Sequence, residues 1–155
     1  MIVAEAQVTI LPVSVDTIFD APNATALFRA NAEECLVPEA DPQRAFYLAM
    51  EQAGVLKCFA SYAGVRLVGF SAILCTDMLD HPGKRLATAK SIFVDPDYRG
   101  TGAGDLLLDA AEQYATEAGC MAFTASARVD SAFDKVLSRR AGYTLTHSQH
   151  TRWLA

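Results

Sequence analysis

The sequence predicts an α/β (α+β) fold in which a mixed central sheet of six to seven strands is flanked by about four helices. Two patterns carry that expectation. Between Ser91 and Ser126, a short apolar strand, a glycine-rich loop, an amphipathic helix and a second apolar strand follow one another, which makes a parallel crossover. Upstream, β-rich runs at Val55–Tyr62 and Arg66–Cys75 meet near Ala63-Gly64, which makes an antiparallel hairpin. A third observation sets the scale: 155 residues, 52% of them hydrophobic, suffice for one domain over residues 1–155 with a real core.

In chain order, Val8–Val13 reads as an edge strand, ended at Pro12-Val13-Ser14. Asp20-Ala21-Pro22 opens a helix whose apolar side is Ala24, Leu27, Phe28 and Cys35, and which ends at Glu33 and Glu34. After the connector Val37–Ala40, Asp41 as N-cap and Pro42 at the first helical position start a second helix. It carries Ala45, Leu48, Ala49 and Ala53 at helical spacing and stops at Gly54. The hairpin follows, then a turn at Asp80-His81-Pro82-Gly83 and a strand from Leu86 to Val94.

The helix after the glycine loop places Leu107, Ala111, Tyr114 and Ala118 on one face, with Asp105, Asp109, Glu112 and Thr116 opposite. Gly119 stops it, and Cys120–Ser126 is the next strand. Ser131 opens a further helix with Asp134 three residues on, an approximate capping box. Phe133, Val136 and Leu137 face inward, and Gly142 ends it. Tyr143–His147 and Thr151–Leu154 read as closing strands.

Composition narrows the function. A net charge of −5 argues against nucleic acid or a membrane surface as the main partner. No apolar run approaches the roughly 18 residues of a membrane span, and the first residues lack the pattern of a signal peptide. Cys35, Cys58, Cys75 and Cys120 lie far apart without a C-x-x-C, which reads as buried free thiols in a reducing cytoplasm. His81, His147 and His150 form no ligand-spaced cluster with them, so no metal is expected.

The chemistry concentrates at Arg99-Gly100-Thr101-Gly102-Ala103-Gly104. Alternate glycines leave the backbone bare, and the helix that follows adds unpaired N–H donors and the positive end of its dipole. Such a loop cradles a phosphate or pyrophosphate. A Walker loop requires G-x-x-x-x-G-K-S/T, and no Lys follows here. A Rossmann turn requires G-x-G-x-x-G, whereas this spacing is G-x-G-x-G.

Val94-Asp95-Pro96 followed by Arg99, Gly102 and Gly104 resembles the acetyl-CoA signature of the GNAT family of N-acetyltransferases, V-x-P and then Q/R-x-x-G-x-G/A. The order of elements along nearly the whole chain is similar too, and Arg66–Phe70 resembles small members carried by phages and prophages. The resemblance implies transfer of an acyl group from acetyl-CoA to a primary amine, by direct attack in a ternary complex. It implies that the N–H groups of Arg99, Gly100, Thr101, Gly102, Ala103 and Gly104 hold the pyrophosphate. The Arg99 guanidinium either helps them or braces the loop. It also implies that Ile92, Phe93 and Val94 pair with the pantetheine arm where a bulge splays their strand from the next. An N–H near Phe93 or Val94 then polarises the thioester carbonyl.

Two departures from the family's pattern stand out. Its strand carboxylate is absent from Thr88-Ala89-Lys90-Ser91, yet an amine of pKa about 10.4 must lose a proton before attack. Glu33 and Glu34 are the candidate bases, with ordered water as the alternative and Asp77 and His81 in a loop that reaches toward the site. The family's acidic Tyr is replaced by Ser138, with Tyr143 and Tyr98 as substitutes. A CoA-like thiol, with pKa near 8.5, leaves without a strong acid. The cysteines do not suggest an acyl-enzyme; Cys120, beside the slot, is the one to examine. The alternative reading is an acetyl-CoA sensor or interaction module without turnover. The acceptor stays open among small amines, aminoglycosides, amino acids, peptide N-termini and protein lysines, with the acidic balance favouring a cation. The assembly expected is a monomer or homodimer.

Overall fold

A computed structural model describes residues 7–154. The expectation about a leader segment rests on the first six residues, which lie outside them. Five strands form one sheet in the order β1-β2-β3-β4-β5: β1 Val8–Val13, β2 Leu56–Ala63, β3 Arg66–Asp77, β4 Arg85–Val94 and β5 Cys120–Ala125. The first four are antiparallel neighbours, and β4 and β5 run parallel, so the sheet is mixed as expected.

Helices cover both faces. On one lie α1 (Val15–Phe19), α2 (Ala24–Glu34) and α3 (Arg44–Gln52). Val15, Ile18 and Leu27 pack there against Leu56, Cys58, Phe70 and Phe93 of the sheet, all nearly excluded from water. Each such side chain contributes about 1.5–3 kcal/mol by burial. On the other face α4 (Ala103–Glu117) lays Ala111 and Ala115 over Ile73, Cys75 and Ala87. The small alanines bring helix and sheet close together. Arg85 fastens the far end of α4, donating to the carbonyls of Ala118 and Cys75 at 3.1 and 3.2 Å.

Several boundaries differ from the sequence reading. Helix α1 has no counterpart in the sequence pattern; Ser14 caps it by accepting from the Thr17 N–H at 3.2 Å. Asp20 therefore ends α1, and α2 starts only at Ala24. Asp41 does not cap α3, which begins at Arg44; its carboxylate accepts from Gln43 Nε2 at 3.0 Å, a local side-chain bond that competes with the cap. Ser131 does cap α5 (Ala132–Arg139), but the Asp134 carboxylate returns to the Asp130 N–H rather than to Ser131.

The larger difference is at the C-terminal end. Tyr143–His147 and Thr151–Leu154 form no strands, so the sheet has five rather than six or seven, beside five α-helices. Residues 144–154 are exposed throughout, and a β-patterned segment without a partner gains nothing from its pattern. What docks this end is polar. The Arg140 guanidinium, 18% exposed, meets Asp105, Asp109 and Glu112 of α4, and the Tyr143 hydroxyl donates to Glu112 at 2.5 Å.

Burial pushes the Glu112 carboxyl up, but Arg140 and Tyr143 outweigh it and leave the group below its ordinary range. Its contribution is therefore present above the ordinary carboxylate pKa and fades as pH falls through the lowered value. Arg140→Met should raise hydrogen exchange, corrected for intrinsic rates, across 132–139 while Leu107–Ala115 stays protected. In the parent, acid below the carboxylate range should reproduce that pattern. Unchanged exchange in α5 in both cases would mean that its apolar contacts alone hold it.

Candidate active site

The site forms where β4 leaves β5. Pairing of β4 with β3 skips Lys90, since Ala72 faces Ser91 and Ile73 faces Ala89. That extra residue is a bulge, which bends its strand. Pairing of β4 with β5 runs only from Arg85 to Ala89. Past the bulge, Ser91–Val94 stays paired with β3 but has no partner on the β5 side, which leaves a gap between the two strands.

The chain reaches the glycine loop directly from that gap. Asp95 accepts from the Asp97 N–H at 3.0 Å and starts a 3-10 turn, Pro96–Tyr98. Thr101 Oγ1 closes the turn on the Tyr98 carbonyl at 2.6 Å. Gly100 and Gly102 sit at φ +83° and +85°, a region side chains rarely adopt. No N–H from Gly100 to Asp105 has a hydrogen-bond acceptor among the described residues. A Cβ built on Gly100 or Gly102 would meet nothing within 4 Å, and one on Gly104 only Val94 Cγ2 at 3.9 Å. Six free donors at the start of a fifteen-residue helix, over backbone open to approach, fit a pyrophosphate.

Arg99 braces this loop. Its Nε donates to the Val94 carbonyl at 3.0 Å, its guanidinium lies 5.6 Å from the centre of the Phe93 ring, and it pairs with Glu34 Oε1 at 2.6 Å. Glu34 therefore ties the end of α2 to the glycine loop. The sequence motif held Arg99, but nothing in the sequence marked its partner 65 positions upstream.

Glu33, the adjacent candidate, has no ion pair among the described residues. It lines a cavity of about 520 Å³ between α2 and the connector before α3. Ser138 Oγ donates to the Asp134 carbonyl at 2.8 Å on the exposed side of α5. Tyr143 is likewise engaged: burial, then Glu112, push its hydroxyl well above the ordinary tyrosine range. Asp77 faces Arg85 at the opposite end of β4 from the gap, and the nearby His81 lies in an exposed turn.

The thiols are not arranged for nucleophilic attack. Cys58 and Cys75 are buried, Cys120 is half-buried, and Cys35, contrary to the expectation of burial, is exposed. Cys120 Sγ lies 3.5 Å from Cys75 Sγ, and burial followed by that neighbour pushes Cys120 up to about 11. It is a protonated thiol at neutral pH, unlike an activated cysteine. Among the described residues no cluster of His, Cys, Asp and Glu could hold a metal ion, and no helix is long and apolar enough to cross a membrane.

A mixed sheet with a splayed parallel pair and a donor-rich glycine loop at its mouth is the arrangement that the resemblance at Val94–Gly104 leads one to expect. The chain matches the Acetyltransferase (GNAT) family over residues 19–135, and it belongs to that family. It is thus an acetyltransferase, of a family whose acyl donor is acetyl-CoA. No curated protein matches it.

Solved structures share the fold. A ribosomal-protein-alanine N-acetyltransferase from Brucella melitensis biovar Abortus 2308 is 20% identical, with TM-score 0.71 over 94% of this chain and 99% of that one. An aminoglycoside acetyltransferase from an uncultured soil metagenomic sample, solved with sisomicin, is 19% identical, with TM-score 0.70 over 95% and 97%. Glucosamine-6-phosphate N-acetyltransferase from Arabidopsis thaliana is 10% identical, with TM-score 0.74 over 96% and 99%.

Proposed function

We propose that the protein transfers an acetyl group from acetyl-CoA to a primary amine by direct attack in a ternary complex. The observation that carries this reading is the departure of β4 from β5 at Lys90, beside a loop of unpaired N–H donors. Acetyl-CoA supplies the activated acyl group. The N–H groups of Gly100–Gly104 hold its pyrophosphate. The backbone of Ile92, Phe93 and Val94 directs the pantetheine arm along the gap, and an N–H of Phe93 or Val94 stabilises the oxyanion.

Glu33 accepts the proton of the incoming amine, since it lines an open cavity while Glu34 is held by Arg99. Glu34 and Arg99 position the loop. The departing thiolate needs no strong acid, so Ser138 contributes at most one modest hydrogen bond. Of the structural neighbours named above, one is an aminoglycoside acetyltransferase, and the ribosomal-protein-alanine and glucosamine-6-phosphate enzymes are N-acetyltransferases.

The test is calorimetric titration with acetyl-CoA together with thiol release on a panel of amines. Binding with turnover is expected. kcat/KM should rise with pH through one titration; that limb should vanish in Glu33→Gln and persist in Glu34→Gln. Ser138→Ala should lose no more than about tenfold. Binding without turnover on any amine would instead favour a sensor, a reading to which the engaged Ser138 and Glu34 side chains lend themselves.

A further inference from the structure

Two cysteines meet at the opposite end of β4 from the reacting gap. Cys75, near the end of β3, is excluded from water, and Cys120, the first residue of β5, is half-buried. Their sulfurs lie 3.5 Å apart, although the residues are 45 positions apart in the chain. Neither thiol has a part in the acyl transfer described above.

Strand β4 runs between the two: Cys75 faces Ala87, and Cys120 faces Arg85. Ala87, buried in the same cluster, has only a methyl group, so nothing larger stands between the sulfurs. Arg85 fastens both segments, donating to the carbonyls of Cys75 and Ala118. The other thiols do not compete. Cys58 packs on the opposite face of the sheet, and Cys35 follows the end of α2.

We propose that Cys75 and Cys120 form a reversible disulfide within the native fold when the protein meets a small-molecule disulfide. The half-buried Cys120 reacts first. It loses its proton, its sulfur bonds to one sulfur of the reagent, and the other half leaves as a thiolate that takes up a proton. Cys75 then loses its proton and attacks the Cys120 sulfur, and the second half of the reagent leaves as a thiol. Two protein thiols have given up two electrons and two protons, and one disulfide has become two thiols. Burial and the neighbouring thiol keep Cys120 protonated at neutral pH against the pull of the nearby Arg85, so the exchange is slow.

Closing the bond draws the sulfurs together by about 1.5 Å. That movement falls on Cys120, which follows the Gly119 turn and starts its strand, where backbone shifts most easily. Strands two places apart are spaced by roughly 9–10 Å, beyond the usual Cα range of a disulfide. The bond is therefore strained and readily reduced, which suits a reversible state rather than a permanent staple. The loop it closes contains β4, the glycine loop and the whole of α4.

The test is equilibration of the whole protein with oxidised and reduced glutathione at mildly alkaline pH, followed by acid quench, alkylation and peptide mapping. In oxidised glutathione the intact mass should fall by two hydrogens, and the peptides carrying Cys75 and Cys120 should be linked in more than about half of the molecules. The far-ultraviolet circular dichroism should stay that of the reduced protein. Excess reduced glutathione should lower the linked fraction about tenfold or more. Cys35→Ser should leave the linkage unchanged. Cys120→Ser and Cys120→Ala should abolish it, and in the folded variants Cys75 should take up no glutathione. A mixed disulfide at Cys120 without linkage to Cys75, linkage only with loss of the native circular dichroism, or linkage that excess reduced glutathione leaves in place would each overturn the proposal.

Discussion

Gly104→Val is expected to fold with near-parental stability and to lose acetyl-CoA affinity by about a hundredfold or more. The position is unstrained, inside the first turn of α4, and a Cβ there approaches only Val94 Cγ2 at 3.9 Å. In the proposed cradle, the added methyl groups project where the diphosphate would approach the backbone donors. Gly102→Val should show the same loss with an added cost, because φ +85° forces a β-branched residue into a region it avoids.

Gly64→Ala provides the matched control. It too lies at positive φ with open space around it, but in the β2–β3 turn. It should lose some stability and keep its acetyl-CoA affinity. Calorimetry with acetyl-CoA and a thermal melt of each variant separate the two effects. Parental affinity in a folded Gly104→Val protein would place the phosphates elsewhere.

Gly69→Ala is expected to destabilise the protein by about 3 kcal/mol, a fall in melting temperature of roughly 10 °C for a chain of this size. Gly69 is the fourth residue of β3, between Ser61 of β2 and Val94 of β4. A Cβ there would stand 2.6 Å from Ser61 Oγ and 2.7 Å from the Phe93 carbonyl oxygen. The serine can turn away. The carbonyl belongs to backbone, so β4 must shift, and with it the strand that borders the gap. Acetyl-CoA affinity should fall together with stability, whereas Ser61→Ala/Gly69→Ala should recover only the part owed to the hydroxyl. A Gly69→Ala melt within 2 °C of the parent would show that β4 yields at little cost.

Much of the frame was legible in advance because it rests on local patterns. The hairpin, the parallel crossover and the edge strand β1 follow from alternation, turn residues and spacing. The sequence reading starts α2 and α3 a few residues early because Asp20 before Pro22 and Asp41 before Pro42 both have the pattern of a helix start, and only packing decides where each helix begins. The closing strands were misread for a related reason. Alternation at Tyr143–His147 describes a segment able to pair, while pairing needs an edge within reach. Here Arg140 and Tyr143 instead bind the carboxylates of α4.

The amino-acid sequence by itself determined the glycine loop, the helix that follows it and the strand that leads into it. These are contiguous, so their geometry is set by residues within one turn of each other. Tertiary structure alone decided the partners of the candidate side chains. Of two adjacent glutamates at the end of α2, one is bonded to Arg99 and the other lines a cavity, because neighbours on a helix point about 100° apart. Which of them meets an arginine 65 positions away depends on how α2 lies across the sheet, and that follows from the packing of Leu27 and Phe28 on the strands, a long-range contact that no local pattern encodes.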